Sequence, residues 1–234
     1  MASVVEELSI SSSPGGVRIV SDLHLGNPHF HPEAFRSFLS ELPEGAALVV
    51  NGDTLDNPST KLPPAHQENL QALLALHAED RLFWIPGNHD AGSILPFEAR
   101  LTVANRLRID NHTVVMHGDY FDSIMPHCKT FMHLVHLAHR LRIKMGASPV
   151  HIAHYAKNWS RLYAVLRGSV RRRAVRFAAE EGLQNVICGH VHYAESTLRD
   201  NIRYLNTGSW TEPPLWYAEV TRDNVQLKPF HFSS

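Results

Sequence analysis

Five short polar strings punctuate this sequence, and each stands where an apolar run stops. They are Ser21-Asp22-Leu23-His24, Asn51-Gly52-Asp53, Gly87-Asn88-His89-Asp90, Met116-His117-Gly118-Asp119 and Gly189-His190-Val191-His192. Each supplies Asp, Asn or His, the side chains that hold divalent metals through oxygen or imidazole nitrogen. Taken singly they are weak signals, since Asn-Gly-Asp is ordinarily a turn and Asp-x-His a solvated loop. Gly-Asn-His-Asp behind an apolar run is the strongest of them. The ordered set is far more specific than its parts.

The runs before the strings read as strands. Val17–Val20, Ala46–Val50, Leu82–Ile85 and Thr113–Met116 are short, apolar and rich in β-branched residues. Leu107–Ile109, Val186–Cys188, Arg203–Leu205, Tyr217–Val220 and Val225–Phe232 extend the series. Helical spacing of apolar residues predicts helices over Pro32–Leu42 and Pro64–Glu79. This strand–helix–strand rhythm argues for a layered α/β fold, and open α/β sheets place ligands at the carboxyl ends of their strands. The pieces after residue 186 suggest a second, more antiparallel sheet packed on the first. Residues 1–15 read as a loose leader without the apolar core of a signal peptide.

We expect one domain over residues 1–234, interrupted by an inserted helical cap at 123–181 with helices near Lys129–Lys144, Val150–Leu166 and Ser169–Glu180. From Ser123 to Ala179 there is no Asp or Glu, yet 11 of the chain's 22 basic residues fall there. The net charge of −1 therefore hides a basic cap on an acidic body. Such a cluster is either a solvated helix face or a surface for phosphates and acidic headgroups. Lys157, Arg161, Arg171, Arg172 and Arg173 are its candidate substrate contacts. No apolar run approaches the ~20 residues of a membrane span. Cys128 and Cys188 make neither a disulfide framework nor a zinc-ligand spacing, which favours a reducing cytosol. No nucleic-acid partner is expected, since the cap shows no stacking platform.

The strings together describe a two-metal hydrolytic site. Asp22 and His24 reach one cavity if the backbone turns between them, and Asp53 can bridge two cations about 3.5–4 Å apart. Asn88 adds a neutral carbonyl oxygen, and His117, His190 and His192 add imidazoles. Seven residues then give eight ligands, with Asp53 counted twice. Two cations lower the pKa of a bridging water, so a hydroxide nucleophile is available near neutral pH.

In order and spacing the five strings resemble the calcineurin-like metallophosphoesterase superfamily, and the likeness spans nearly the whole chain. The resemblance implies a four-layer α/β/β/α sandwich with a dinuclear centre. It places Asp22, His24, Asp53 and His192 on one metal, and Asp53, Asn88, His117 and His190 on the other. His89 would stand at the leaving group, together with Asn88 on the substrate, as proton donor or charge stabiliser, with Asp90 orienting it.

Within the superfamily, His-Gly-Asp-Tyr-Phe-Asp (117–122), a basic cap, Cys-Gly-His-Val-His (188–192) and Tyr-Leu-Asn-Thr-Gly-Ser-Trp (204–210) go together. That combination resembles the UDP-2,3-diacylglucosamine pyrophosphatase group of lipid A biosynthesis. It implies hydrolysis of a UDP-linked diacylated sugar to the 1-phosphate and UMP. The metal would be manganese, with iron, zinc and magnesium as alternatives, and the location cytoplasmic with peripheral contact at the inner membrane face. One departure stands out: His89 occupies the position where the best-known enzymes of that group carry Arg. The alternatives are a soluble phosphodiesterase or nucleotide phosphatase and, from another class, a non-catalytic scaffold of the same fold. Scaffolds usually lose ligands, whereas all seven are present here.

Overall fold

The computed structural model describes residues 4–59, 61–90, 103–123, 146 and 160–232. Among the described residues, eleven strands form one hydrogen-bonded ladder. In chain order they are β1 (Val4–Ile10), β2 (Val17–Val20), β3 (Ala47–Asn51), β4 (Leu82–Ile85), β5 (Val103–Ile109) and β6 (Thr113–Val115), then β7 (Asn185–Cys188), β8 (Glu195–Arg199), β9 (Ile202–Asn206), β10 (Leu215–Thr221) and β11 (Asn224–Phe230). Three α-helices accompany them among the described residues: α1 (Pro32–Ser40), α2 (Pro64–Ala78) and α3 (Ser160–Glu180). Pro32 and Pro64 open α1 and α2, where a missing N–H costs nothing.

The ladder order is β11-β10-β2-β3-β4-β5-β6-β7-β9-β8, and it folds over at β5. One edge of β5 pairs with β4 through Val103 and with β6 from Leu107 onward, while β1 runs parallel along its other edge. The two halves then face each other. Period-two alternation sends Val17, Ile19, Val49 and Ile85 from one half, and Leu107, Val115, Ile187 and Leu205 from the other, into a shared buried layer. The opposite faces turn to helices. Val20, Leu48, Val50 and Trp84 pack on Phe35, Phe38, Leu70 and Leu73 of α1 and α2. Val114, Val186 and Tyr204 pack on Val170, Ala174 and Ala178 of α3. This is the four-layer α/β/β/α sandwich. Because β3 and β7 are covered on both sides, they are apolar throughout except at Asn51 and Asn185.

Three expectations change. Residues 4–10 are not a loose leader but strand β1, with Leu8 and Ile10 packed against the inter-sheet layer and Glu7 paired with Arg106 at 2.8 Å. The second half is not mainly antiparallel: β6, β7 and β9 run parallel, and β10 and β11 return to the first half beside β2. The helix expected from Ser169 starts earlier, continuing unbroken through Gly168. The helix expected over Lys129–Lys144, most of that over Val150–Leu166, and Lys157 lie outside the described residues, as does the side chain of Arg161. No helix among the described residues is long and apolar enough to cross a membrane.

Candidate metal centre

All five strings, and the Asn206–Trp210 string after β9, leave the carboxyl ends of strands at one rim of the sandwich. The turns there are tight enough to force Asp22, His24, Asp53, His190 and His192 into left-handed backbone conformations, with φ between 49° and 69°. Non-glycine residues adopt this region at a cost, and such strain concentrates at functional sites. Gly52, Gly87 and Gly189 let these loops close. A Cβ on Gly52 would overlap the His117 ring, one on Gly87 the Asp53 carboxylate, and one on Gly189 the side chains of Ser21 and Asp22.

The ladder hydrogen bonds continue into the loops. Asp22 N–H donates to Gly52 O at 3.0 Å and His24 N–H to Asp53 O at 2.9 Å. The Asp22 carbonyl accepts from Trp210 N–H and Ser209 Oγ, both at 3.1 Å. Asn206 Nδ2 donates to Gly189 O at 2.6 Å, so the string after β9 braces two metal-facing loops at once. Trp210 anchors that string, wholly buried among Phe35, Phe38 and Phe230.

The side chains converge. Asp22, His24 and His192 form one buried group, and Asp22, Asp53 and His117 another, with the ligand atoms of each within 4.8 Å of one another. His192 Nε2 lies 3.1 Å from Asp22 Oδ1 and 3.2 Å from His24 Nε2. Asp53 Oδ2 lies 3.4 Å from His117 Nε2 and 4.0 Å from His24 Nε2, so this carboxylate reaches an imidazole of each group. His190 stands beside His117 (ring centroids 5.4 Å apart), with Nδ1 3.0 Å from Asn88 Oδ1.

Electrostatics set what the cluster can hold. His117 Nδ1–H donates to Asn51 O at 2.9 Å, which turns Nε2 to Asp53, buried and without a hydrogen bond. Burial alone would lower the His117 pKa, but the Asp53 and Asp22 carboxylates overcome it and carry the group up to about 10. Burial would likewise raise Asp22, yet His192 and His117 hold it near 2, and Asp53 is held well below the usual carboxylate range by His117, His89 and His24. The pocket thus favours ionised carboxylates at Asp22 and Asp53 and positive charge on the His117 ring beside them, whereas at His192 burial outweighs the Asp22 carboxylate and holds the imidazole below its ordinary value. Its mixed carboxylate and imidazole donors fit divalent cations of hard to borderline character.

His89 is exposed at the rim. Its backbone N–H donates to Asp53 Oδ1 at 2.8 Å and its Nδ1–H to Asp56 O at 3.0 Å, with the ring 4.8 Å from that of His24. Asp90 does not touch the His89 ring through these bonds; its carboxylate accepts from Thr54 N–H (2.8 Å) and Gly87 N–H (2.5 Å), holding the loop that presents Asn88 and His89. The sequence assigns no role to Asp56, and none to Asp122 beyond closing the 117–122 string. Asp56 Oδ1 is 3.1 Å from His24 Nδ1, and Asp122 Oδ2 is 2.9 Å from His190 Nε2. Each stands three residues beyond another aspartate, a spacing that by itself signals only a polar turn. Of the basic candidates, Arg171 pairs with Glu195 at 3.1 Å, beside Arg167 at 3.0 Å, while Arg172 and Arg173 are exposed on α3. Arg167 also stacks on the Tyr193 ring, 3.3 Å from its centroid, and Tyr163 O–H donates to Val191 O at 2.5 Å. The start of α3 is thereby tied to the loop that carries His190 and His192.

Among solved structures, the chain is similar to YfcE, a phosphoesterase from E. coli, at 14% identity over 92% of this chain and 99% of that one, with a TM-score of 0.46. It is similar to a predicted phosphoesterase from Streptococcus pneumoniae at 17% identity, over 92% and 87% of the two chains, with a TM-score of 0.42. Vps29 from Entamoeba histolytica, solved with zinc, shares 14% identity over 92% and 99%, with a TM-score of 0.46. No curated protein matches the sequence. The model of the calcineurin-like phosphoesterase family matches residues 17–194, which include every side chain of the carboxylate and imidazole cluster. This chain therefore belongs to the calcineurin-like phosphoesterase family.

Proposed function

We propose that this protein is a two-metal phosphoester hydrolase whose substrate is UDP-2,3-diacylglucosamine, cleaved at its pyrophosphate to the sugar 1-phosphate and UMP with manganese in the site. The observation that carries the hydrolase reading is Asp53, whose Oδ2 lies 3.4 Å from the His117 imidazole of its own buried group and 4.0 Å from the His24 imidazole of the other. Asp22, His24, Asp53 and His192 would hold one cation, and Asp53, Asn88, His117 and His190 the other. When bound, such a pair supplies a water of lowered pKa and neutralises phosphoryl oxygens. The protein's own groups do the rest. His89, with Nδ1–H held by the Asp56 carbonyl, keeps Nε2 for the leaving oxygen, where its imidazolium form would give a proton or stabilise charge. The acid-free basic segment offers cations for a diphosphate and for the acidic surface in which an acylated substrate resides, with Arg172 and Arg173 exposed for that purpose. On this reading the protein works in the cytoplasm, in peripheral contact with the inner membrane face.

The substrate rests on the joint presence of the 117–122, 188–192 and 204–210 strings with that basic segment. A second reading, a soluble phosphodiesterase or nucleotide phosphatase, is favoured by one residue: His89 in place of Arg. The two separate in an assay of manganese-reconstituted protein on UDP-2,3-diacylglucosamine beside a UDP-sugar without acyl chains. Preferred cleavage of the acylated compound to UMP is the expected result. No cleavage of either, with clear turnover of generic diesters, would sink the lipid assignment and leave the second reading.

A further inference from the structure

We infer that Asp122 is a positioning residue of the metal centre, fixing His190 so that its Nδ1 faces the cation. The inference rests on the two-metal reading above. A neutral imidazole carries a single N–H. With the Asp122 carboxylate 2.9 Å from Nε2, that hydrogen sits on Nε2 and the Nδ1 lone pair is left exposed on the other side of the ring. There Nδ1 meets Asn88 Oδ1, itself a lone-pair donor, at 3.0 Å. Two ligands of one cation, at bond lengths of about 2.1 Å and a right angle, stand about 3 Å apart. The pair therefore has the separation of neighbouring ligands.

Asp122 is well placed for the task. It is buried, with 6% of its surface exposed, and its backbone N–H is bound to Asp119 O at 2.9 Å, closing a short 3-10 turn after His117. The backbone of the His190 loop is held by other groups. His190 N–H donates to Asp22 Oδ2 at 3.0 Å, Val191 O accepts from Tyr163, and Gly189 O accepts from Asn206. What those contacts leave to the ring's own partners, Asn88 at Nδ1 and Asp122 at Nε2, is its rotation and tautomer, and the carboxylate, as the stronger acceptor, takes the hydrogen. Carboxylates in this position commonly contribute 10–100-fold to metal affinity, through ligand basicity as well as orientation.

The test is a Mn2+ titration of metal-free full-length protein, followed by the EPR signal of free Mn2+, for the wild type, Asp122→Asn and Asp122→Ala. Thermal unfolding of the metal-free forms checks that the variants fold. The expected result is a split isotherm: one Mn2+ bound as in wild type and the other weakened about 10–100-fold, with Asn the milder change. Two sites within about twofold of wild type in both folded variants would overturn the inference and leave the two-metal reading standing. Wild-type protein that takes up no Mn2+ would overturn that reading, and this inference with it.

Discussion

At the scale of single residues, the site is held by backbone that most side chains avoid. Five candidate ligands sit in left-handed conformations, and Gly52 (φ 80°) lies so close to His117 that a Cβ has no room. Gly52→Ala therefore combines an unfavourable φ with a clash against a wholly buried imidazole. We expect a loss of about 2–4 kcal/mol in urea unfolding, together with weakened metal uptake. Unchanged stability would show that the His117 ring can move aside without cost. The ligand residues were legible in the sequence because each closes an apolar run, and a two-residue spacing such as Asp22–His24 needs only a turn. The pairings of Asp56 and Asp122 were not legible: their partners, His24 and His190, are supplied by other loops, and only the closed fold brings them within 3.1 Å and 2.9 Å.

At the scale of elements, strands were readable wherever apolar residues dominate. β1 was not, because Glu6 and Glu7 interrupt it, and Glu7 makes sense only beside Arg106 and Arg108 of β5, some 100 residues away. β8 was missed for a related reason: it is an edge strand whose one large apolar side chain, Leu198, is 69% exposed. Cross-strand charge also fastens β10 between its neighbours. Glu219 pairs with Arg18 of β2 and Lys228 of β11, each at 2.5 Å, and accepts from Gln226 at 2.6 Å. Burial alone would raise its pKa, but Lys228, Gln226 and Arg18 bring it below the ordinary value of 4.5. The folded state then binds fewer protons than the unfolded one across that window. Its contribution is full above the ordinary glutamate value and is lost as pH falls through the folded value. Glu219→Gln should cost about 1–3 kcal/mol at pH 7 and flatten the acid-side decline. Urea unfolding at pH 7 and pH 4 measures both, and an undiminished decline in the variant would place the acid sensitivity elsewhere.

At the scale of the whole molecule, four layers bring strand ends that lie far apart in the chain to one rim. The rhythm of strands and helices showed a layered α/β fold, but not that the ladder doubles back at β5 or that the last two strands return to the first half. Those facts depend on how two sheets share an apolar layer, which alternation within any one strand does not encode. The family match, the rim placement and the convergence of carboxylates and imidazoles agree on one centre built around Asp53. The most direct test titrates metal-free protein with Mn2+ while following hydrolysis of bis(p-nitrophenyl) phosphate, with Asp53→Ala alongside. The account predicts two Mn2+ per wild-type chain, hydrolysis that rises with the second, and a loss of about 10²-fold or more in the variant. Hydrolysis that needs no metal, or that survives in Asp53→Ala, would contradict it.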